Sequence, residues 1–175
     1  MKILIIGNVA SGKTTLGKKI QEITGFKFVQ IDQLREKYLK GAVSEEYYCF
    51  FEFLKTIEEN KDLILEFTGV GCHKYAVKRA LQLSNDKILI VLCKNRDFNL
   101  IIERIGNKKF AYRHPFDIYI EEHIHFVKKE LNLDIEKKFW NCEEFEFIEV
   151  YMDDNNDIIR NVKNIPNYLN LLIKD

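Results

Sequence analysis

The sequence predicts an α/β fold, namely a three-layer α/β/α domain built on a five-stranded parallel sheet. One observation is that short apolar runs rich in branched side chains alternate with segments of helical periodicity along all 175 residues. Such alternation implies right-handed crossovers and a parallel sheet with helices on both faces. A second is that the chain opens with an apolar run, a glycine-containing turn and a helical pattern, in that order. At this length, we expect one domain spanning residues 1–175.

Each element is predicted from its own pattern of side chains. Strands are expected over residues 2–6, 27–31, 63–67, 87–92 and 145–151. Helices are expected over residues 14–24, 32–40, 45–60, 73–83, 96–105, 117–131 and 158–172. The first strand is a continuous apolar run, as buried parallel strands are, and the first helix repeats Leu16, Ile20 and Ile23 at helical spacing. The aromatic run 47–54 in the third helix favours core or a dimer surface over a ligand platform.

The bulk composition excludes several classes of partner. Lys+Arg and Asp+Glu both number 27, so no long-range field would attract nucleic acid or an anionic membrane. We therefore expect no extensive nucleic-acid surface, no membrane segment, and a monomer or homodimer. Four widely separated cysteines argue against a zinc site or a disulfide framework and suit a reducing, cytoplasmic setting.

Residues 7–14 carry the most specific pattern in the chain, G-N-V-A-S-G-K-T. Gly7 and Gly12 permit unusual backbone dihedrals, so that successive amides can point at one anion beside the positive end of a helix. In this pattern Lys13 reaches the outer phosphates and the Thr14 hydroxyl completes a Mg²⁺ shell. The segment therefore predicts the binding of a nucleoside triphosphate with Mg²⁺.

Two carboxylates follow strands, at the edge where ligands of parallel sheets bind. Asp32 follows the second strand and could orient Mg²⁺ through water or accept a proton from an attacking hydroxyl; the alternative role is a helix cap. Glu66 follows the third strand and could hold a metal-bound water or a substrate hydroxyl; the alternative is an acidic turn residue. Gly69, just beyond, would allow a substrate to approach the backbone closely.

The segment from Arg104 to about residue 117 is a candidate lid. It is basic and contains Gly106 and Arg113. Closing such a lid would exclude water and bring positive charge to a migrating phosphoryl group. The alternative is a solvated charge run that complements a helix C-terminus.

With these pieces in order, the chain resembles the nucleotide-kinase-like branch of P-loop proteins, which includes adenylate, shikimate and gluconate kinases. The resemblance implies that the loop holds the phosphates of ATP and Mg²⁺ through Gly7, Ala10, Ser11, Gly12, Lys13, Thr14 and Thr15. It also implies that Arg35, in a stretch similar to the acceptor site of adenylate kinases, could hold an acceptor phosphate. Arg104 lies where such kinases begin a lid over the adenine, and Arg113 is similar to the lid arginine of shikimate kinases.

We therefore predict an ATP-dependent kinase that transfers the γ-phosphoryl group to a nucleoside, nucleotide or other small hydroxylated acceptor. Lys13, Asp32 and Arg113 are the expected catalytic residues. Residues of about 32–60 form the expected acceptor-binding insertion, and Asp32, Arg35, Glu66 and Gly69 are the expected acceptor contacts. Two alternatives remain open: a catalytically reduced ATP-binding regulatory protein and a nucleotide-dependent switch. The switch is disfavoured because N-K-K-F at residues 107–110 lacks the aspartate that guanine readers use.

Overall fold

A computed structural model describes residues 1–95, 97–107 and 133–153. In chain order the elements are β1 (Lys2–Ile6), α1 (Lys13–Thr24), β2 (Lys27–Gln30), α2 (Ile31–Tyr38), α3 (Val43–Glu59), β3 (Leu63–Glu66), α4 (Lys74–Leu83), β4 (Ile88–Asn95), α5 (Phe98–Asn107), α6 (Leu133–Trp140) and β5 (Glu146–Met152). The five strands form one parallel sheet in the order β2-β3-β1-β4-β5. The predicted fold class is confirmed.

Successive side chains of β1 point to opposite faces of the sheet. Ile3 and Ile5 pack with Leu16 and Ile20 of α1 on one face. Leu4 and Ile6 belong to the cluster on the other face, which gathers apolar side chains from α2, α3, α4 and α6, among them Ile31, Phe53, Ile57, Val77, Leu81 and Trp140. Because both faces are covered, the interior strands are apolar at nearly every position, which is the pattern that predicted them.

The aromatic run of α3 divides between the core and the surface. Phe50 and Phe53 are buried, whereas Tyr47, Tyr48 and Phe51 are exposed. A helix with a period of 3.6 residues cannot bury every side chain of so long a run against one face of the core, so this run is part core and part surface. The buried half supports the prediction of core packing, and a dimer surface on the exposed half stays a prediction.

Helix α6 is the one described element that the sequence pattern did not predict. Its last residue, Trp140, is completely buried, and β5 begins six residues later. A carboxylate on β5 ties these elements together, because Glu149 accepts ion pairs from Lys94 of β4 and Lys137 of α6. Burial raises the pKa of Glu149, but hydrogen bonds from the two lysines outweigh it and hold the pKa at about 2.

Some boundaries differ from the predicted ones, and some predictions lie outside the described residues. Helix α5 continues through Gly106 to Asn107, whereas the pattern predicted its end at Ile105. The predicted helices 117–131 and 158–172 and most of the predicted lid lie outside the described residues. None of the helices in the described part of the chain is both long and apolar enough to cross a bilayer.

Candidate functional site

The segment between β1 and α1 adopts a turn with unusual backbone conformations. The backbone angle φ is 145° at Gly7, 63° at Ala10 and 97° at Gly12. A positive φ at a non-glycine residue such as Ala10 is uncommon and persists where the surroundings enforce it, often at functional sites. No side chain caps the first turn of α1, where a helix leaves N–H groups without intrahelical partners. The turn therefore offers amides and the positive end of a helix to an anion.

The end of β4 forms the floor of this loop. A Cβ atom built on Gly7 would lie 2.2 Å from the carbonyl oxygen of Cys93. The Cys93 thiol donates a hydrogen bond to the carbonyl oxygen of Ser11 at 3.3 Å. Burial raises the pKa of Cys93 to about 11, so the thiol keeps the proton that it donates. These contacts hold the loop against the end of β4, and they leave no room for a side chain at Gly7.

Replacing Gly7 with alanine is expected to distort the loop, because the new methyl group would clash with backbone and the φ of 145° disfavours L-residues. We expect a loss of roughly 1–3 kcal/mol in the free energy of unfolding, measured by urea denaturation, together with loss of nucleotide binding. Gly106→Ala is the matched control, since a Cβ there meets nothing within 4 Å. It should be neutral or stabilising by up to about 1 kcal/mol. Equal stability and binding in the two variants would contradict this role for Gly7.

Lys13 and helix α5 both lie against the loop. Lys13 is buried, and its Nζ donates to the carbonyl oxygen of Asn8 at 2.6 Å, so the ammonium group folds back over the loop. Ile101 and Ile105 of α5 pack on Val9 and Ala10. Arg104 is half-buried on the same helix, one residue before Ile105. The structure therefore brings Lys13 onto the loop and packs the helix that carries Arg104 against it.

Glu66 at the end of β3 faces the first turn of α1. The Thr14 hydroxyl lies 3.0 Å from each carboxylate oxygen of Glu66, and Gln30 Nε2 donates to Oε2 at 2.6 Å. Gln30 and Glu66 are register partners at the ends of β2 and β3. Glu66 is buried, whereas Thr14 is exposed. A hydroxyl beside a fixed carboxylate provides oxygen ligands of the kind that Mg²⁺ and its bound waters use.

The loop residues also fit a bound triphosphate with its metal ion. The Ser11 hydroxyl is buried and has no hydrogen-bond partner among the described residues. Buried hydroxyl groups in folded proteins are nearly always satisfied, so an orphaned one calls for an explanation such as an absent ligand or water. Together with the tight approach at Gly7 and the uncapped helix, this loop matches a phosphate cradle.

A second group of side chains lies between α2, α3 and the start of α4. We call Asp32, Arg35, Glu46, Phe50 and His73 the Arg35 cluster. Arg35 Nε donates to the two carboxylate oxygens of Glu46 at 3.1 and 3.0 Å, its Nη2 also contacts Glu46, and its Nη1 donates to Asp32 Oδ1 at 3.1 Å. The ring of His73 stacks on Phe50 with centroids 3.8 Å apart. Burial lowers the pKa of His73, although the charge of Glu46 opposes the shift.

Gly69 lies in the segment after β3, with its backbone against the end of β1. A Cβ on Gly69 would lie 2.7 Å from Ile6 Cβ. Its carbonyl oxygen accepts a hydrogen bond at 2.9 Å from the indole of Trp140. Trp140 is the single tryptophan of the chain, so its fluorescence reports directly on this segment.

The structure thus brings Lys13, Thr14 and Glu66 together, and it places Asp32 and Arg35 in a neighbouring cluster. Arg113 and residues 108–117 of the predicted lid lie outside the described residues. Sequence reasoning missed Gln30 and Glu46. The position of Gln30 opposite Glu66 follows from strand register, which a single sequence does not state. The pairing of Glu46 with Arg35 spans two helices and leaves no local pattern.

Comparisons with known proteins find small-molecule kinases. No family model matches the chain. A shikimate kinase from Flavobacterium psychrophilum is 28% identical over 141 residues, which cover 66% of this chain and 81% of that protein. An adenylate kinase isoenzyme 6 homolog from Caenorhabditis elegans is 40% identical over 48 residues, so the match spans only 27% of this chain and 26% of that protein.

A solved structure gives the same assignment of fold. The shikimate kinase from Acinetobacter baumannii, determined in complex with shikimate, superposes with a TM-score of 0.57 at 17% identity. The superposition covers 98% of this chain and 88% of that one. At this level of identity the likeness concerns the fold alone.

Proposed function

We propose, from the similarity of this chain to shikimate and adenylate kinases and from its P-loop kinase fold, that it transfers the γ-phosphoryl group of ATP to a small hydroxylated acceptor. The observation that carries the proposal is the arrangement at the loop: Lys13 Nζ donates a hydrogen bond to the carbonyl oxygen of Asn8, and the Thr14 hydroxyl lies within hydrogen-bond distance of the Glu66 carboxylate. Phosphoryl transfer needs this kind of site, because catalysis there consists mainly of positioning and charge stabilisation.

The loop would hold the triphosphate of ATP through backbone amides and hydroxyl groups. The residues that would do so are Gly7, Ala10, Ser11, Gly12, Lys13, Thr14 and Thr15, with Arg104 beside the base. The Thr14 hydroxyl and the Glu66 carboxylate would hold Mg²⁺ and its water, and the ion would neutralise phosphate charge there. We favour this role for Glu66 over an acceptor contact because both of its carboxylate oxygens face the Thr14 hydroxyl.

Asp32 is the proposed group that orients or deprotonates the acceptor hydroxyl. It occupies the first turn of α2, directly beyond the carboxyl end of β2, and 40% of its side chain is exposed. The Arg35 guanidinium holds its carboxylate at 3.1 Å. A carboxylate that is oriented yet reachable meets the geometric needs of a general base. Arg113 remains the proposed second cation on the transferring group.

A panel of acceptors tests the proposal. We expect Mg²⁺-dependent consumption of ATP only when a suitable nucleoside, sugar or related hydroxylated compound is present, with ATP used in preference to GTP. The measurement is coupled detection of ADP together with mass detection of the phosphorylated product. Tight ATP binding without turnover on any acceptor would instead support the regulatory alternative.

A further inference from the structure

We infer that Trp140 is a positioning residue for the phosphate-cradling loop and acts through the backbone of residues 67–69, which we call the Gly69 segment. This segment follows Glu66, the last residue of β3, and contacts Gly7, the first residue of the loop. The role rests on the nucleotide site of the proposed function and adds a residue that does not itself touch the nucleotide. It also gives Gly69 a backbone role in place of an acceptor contact.

The Gly69 segment is bonded to β1 beyond the end of β3. The Phe67 amide donates to the carbonyl oxygen of Ile5 at 3.3 Å, and the Gly7 amide donates to the carbonyl oxygen of Thr68 at 3.2 Å. These two bonds extend the parallel pairing of β1 with β3 as far as the first residue of the loop. A shift of the segment would therefore move the start of the loop with it.

Gly69 turns the chain at the point where the segment leaves β1. Its φ of 84° lies in the left-handed region, and a Cβ at this position would lie 2.7 Å from Ile6 Cβ. The Gly69 carbonyl oxygen then accepts a hydrogen bond at 2.9 Å from the indole of Trp140. The segment is therefore held both by β1 and by Trp140.

Trp140 is itself held firmly, so its indole can act as a fixed donor. Its side chain is completely buried, and its ring packs edge-on against Phe67 with centroids 5.9 Å apart. Lys78 of α4 donates to the carbonyl oxygen of the preceding residue, Phe139, at 2.6 Å. A buried indole N–H needs an acceptor, and removing either partner of such a bond leaves the other unsatisfied. Without this donor, the Gly69 carbonyl oxygen would lose a contact that fixes the segment.

The hydrogen bond of Trp140 should therefore be coupled to nucleotide binding. A loop that is already fixed in its binding geometry loses less conformational freedom when a ligand binds, so the ligand binds more tightly. Coupling free energies between separate sites typically change an affinity by about fivefold or more. The coupling predicted here acts on the nucleotide, and it requires no acceptor.

An atomic substitution at Trp140 tests this role. Because Trp140 is the single tryptophan of the chain, a tryptophan auxotroph grown on benzothienylalanine replaces the indole N–H by sulfur at this position alone. We expect the Kd for a non-hydrolysable ATP analogue with Mg²⁺ to rise by at least about fivefold, measured by calorimetry without an acceptor. Incorporation of a fluorotryptophan, which keeps the N–H, should leave the Kd unchanged. Thermal denaturation verifies that each protein is folded.

A matched pair of glycine variants separates this role from an acceptor contact. Gly69 and Gly71 have φ of 84° and 79°, so alanine strains the backbone similarly at both positions. A Cβ at Gly69 would clash with Ile6, whereas a Cβ at Gly71 meets nothing within 4 Å. We therefore expect Gly69→Ala to raise the Kd for the analogue by at least about fivefold, and Gly71→Ala to leave it unchanged. An unchanged Kd in folded Gly69→Ala would fit an acceptor contact and contradict the role inferred here.

A variant that only loses stability serves as a further control. Ile57→Val removes one buried methyl group near the end of α3, so it should lower the melting temperature and leave the Kd unchanged. An unchanged Kd in the sulfur-substituted protein overturns the inference even if its melting temperature falls, since the hydrogen bond would then serve the core alone. Wild-type protein that does not bind the analogue overturns both the inference and the proposed function. A raised Kd in the sulfur-substituted protein, when the wild type phosphorylates no acceptor, supports the inference and contradicts the kinase activity alone.

Discussion

Replacing Lys13 with alanine is expected to lower kcat/KM for ATP by about a thousandfold, the size of effect seen when one charge-stabilising group is removed from an active site. The Lys13 ammonium group lies over the loop, 2.6 Å from the carbonyl oxygen of Asn8. From this position the positive charge can stabilise the negative charge that develops on the phosphate groups during phosphoryl transfer. The measurement is steady-state ATP turnover with an acceptor that the panel identifies.

The controls for this prediction address folding and local charge. Lys13→Met keeps most of the buried side-chain volume while removing the charge, so it should be folded and as inactive as the alanine variant. Lys18→Ala removes a lysine from an exposed position of the same helix and should keep wild-type turnover. Turnover in folded Lys13→Ala within a few-fold of the wild type would exclude the loop from the mechanism.

Glu66→Gln is expected to lower kcat by about a hundredfold and to raise the Mg²⁺ concentration needed for half-maximal activity. Glutamine keeps the size of the side chain and can still accept one hydrogen bond from Thr14. It lacks the negative charge that would hold a metal-bound water beside the Thr14 hydroxyl. Activity is measured as a function of Mg²⁺ concentration at saturating ATP.

The alternative role for Glu66 predicts a different pattern. If the carboxylate binds the acceptor hydroxyl, Glu66→Gln should raise the KM for the acceptor and leave the Mg²⁺ dependence unchanged. Gln30→Leu removes the hydrogen bond that orients Glu66 but retains its charge. It should therefore shift the Mg²⁺ dependence in the same direction as Glu66→Gln, by a smaller factor.

The part of the fold that local patterns determine was predictable. β1 follows the predicted bounds and α1 begins within one residue of them, because an apolar run, a glycine turn and a helical repeat are all encoded by neighbouring residues. The phosphate-cradling loop was predictable for the same reason. The ends of β2 and β3 fall one residue before their predicted ends.

The contacts of the Arg35 cluster and of Gly69 were not predictable from one sequence. Glu46 meets Arg35 across a helix–helix contact, and Trp140 reaches Gly69 across 71 residues. Such pairings depend on tertiary packing, which leaves no periodic pattern in the chain. Helix α6, which spans eight residues, was not predicted either.

The most direct test of the central claim, that residues 7–14 bind the triphosphate of ATP, is a calorimetric titration of a non-hydrolysable ATP analogue with Mg²⁺. Wild-type protein and Lys18→Ala, which changes an exposed position of α1, should each bind the analogue at one site per chain with equal affinity. Gly7→Ala, whose methyl group would meet the Cys93 carbonyl oxygen at 2.2 Å, should show no binding. Absence of binding to the wild-type protein, or equal affinity in a folded Gly7→Ala variant, would contradict the account.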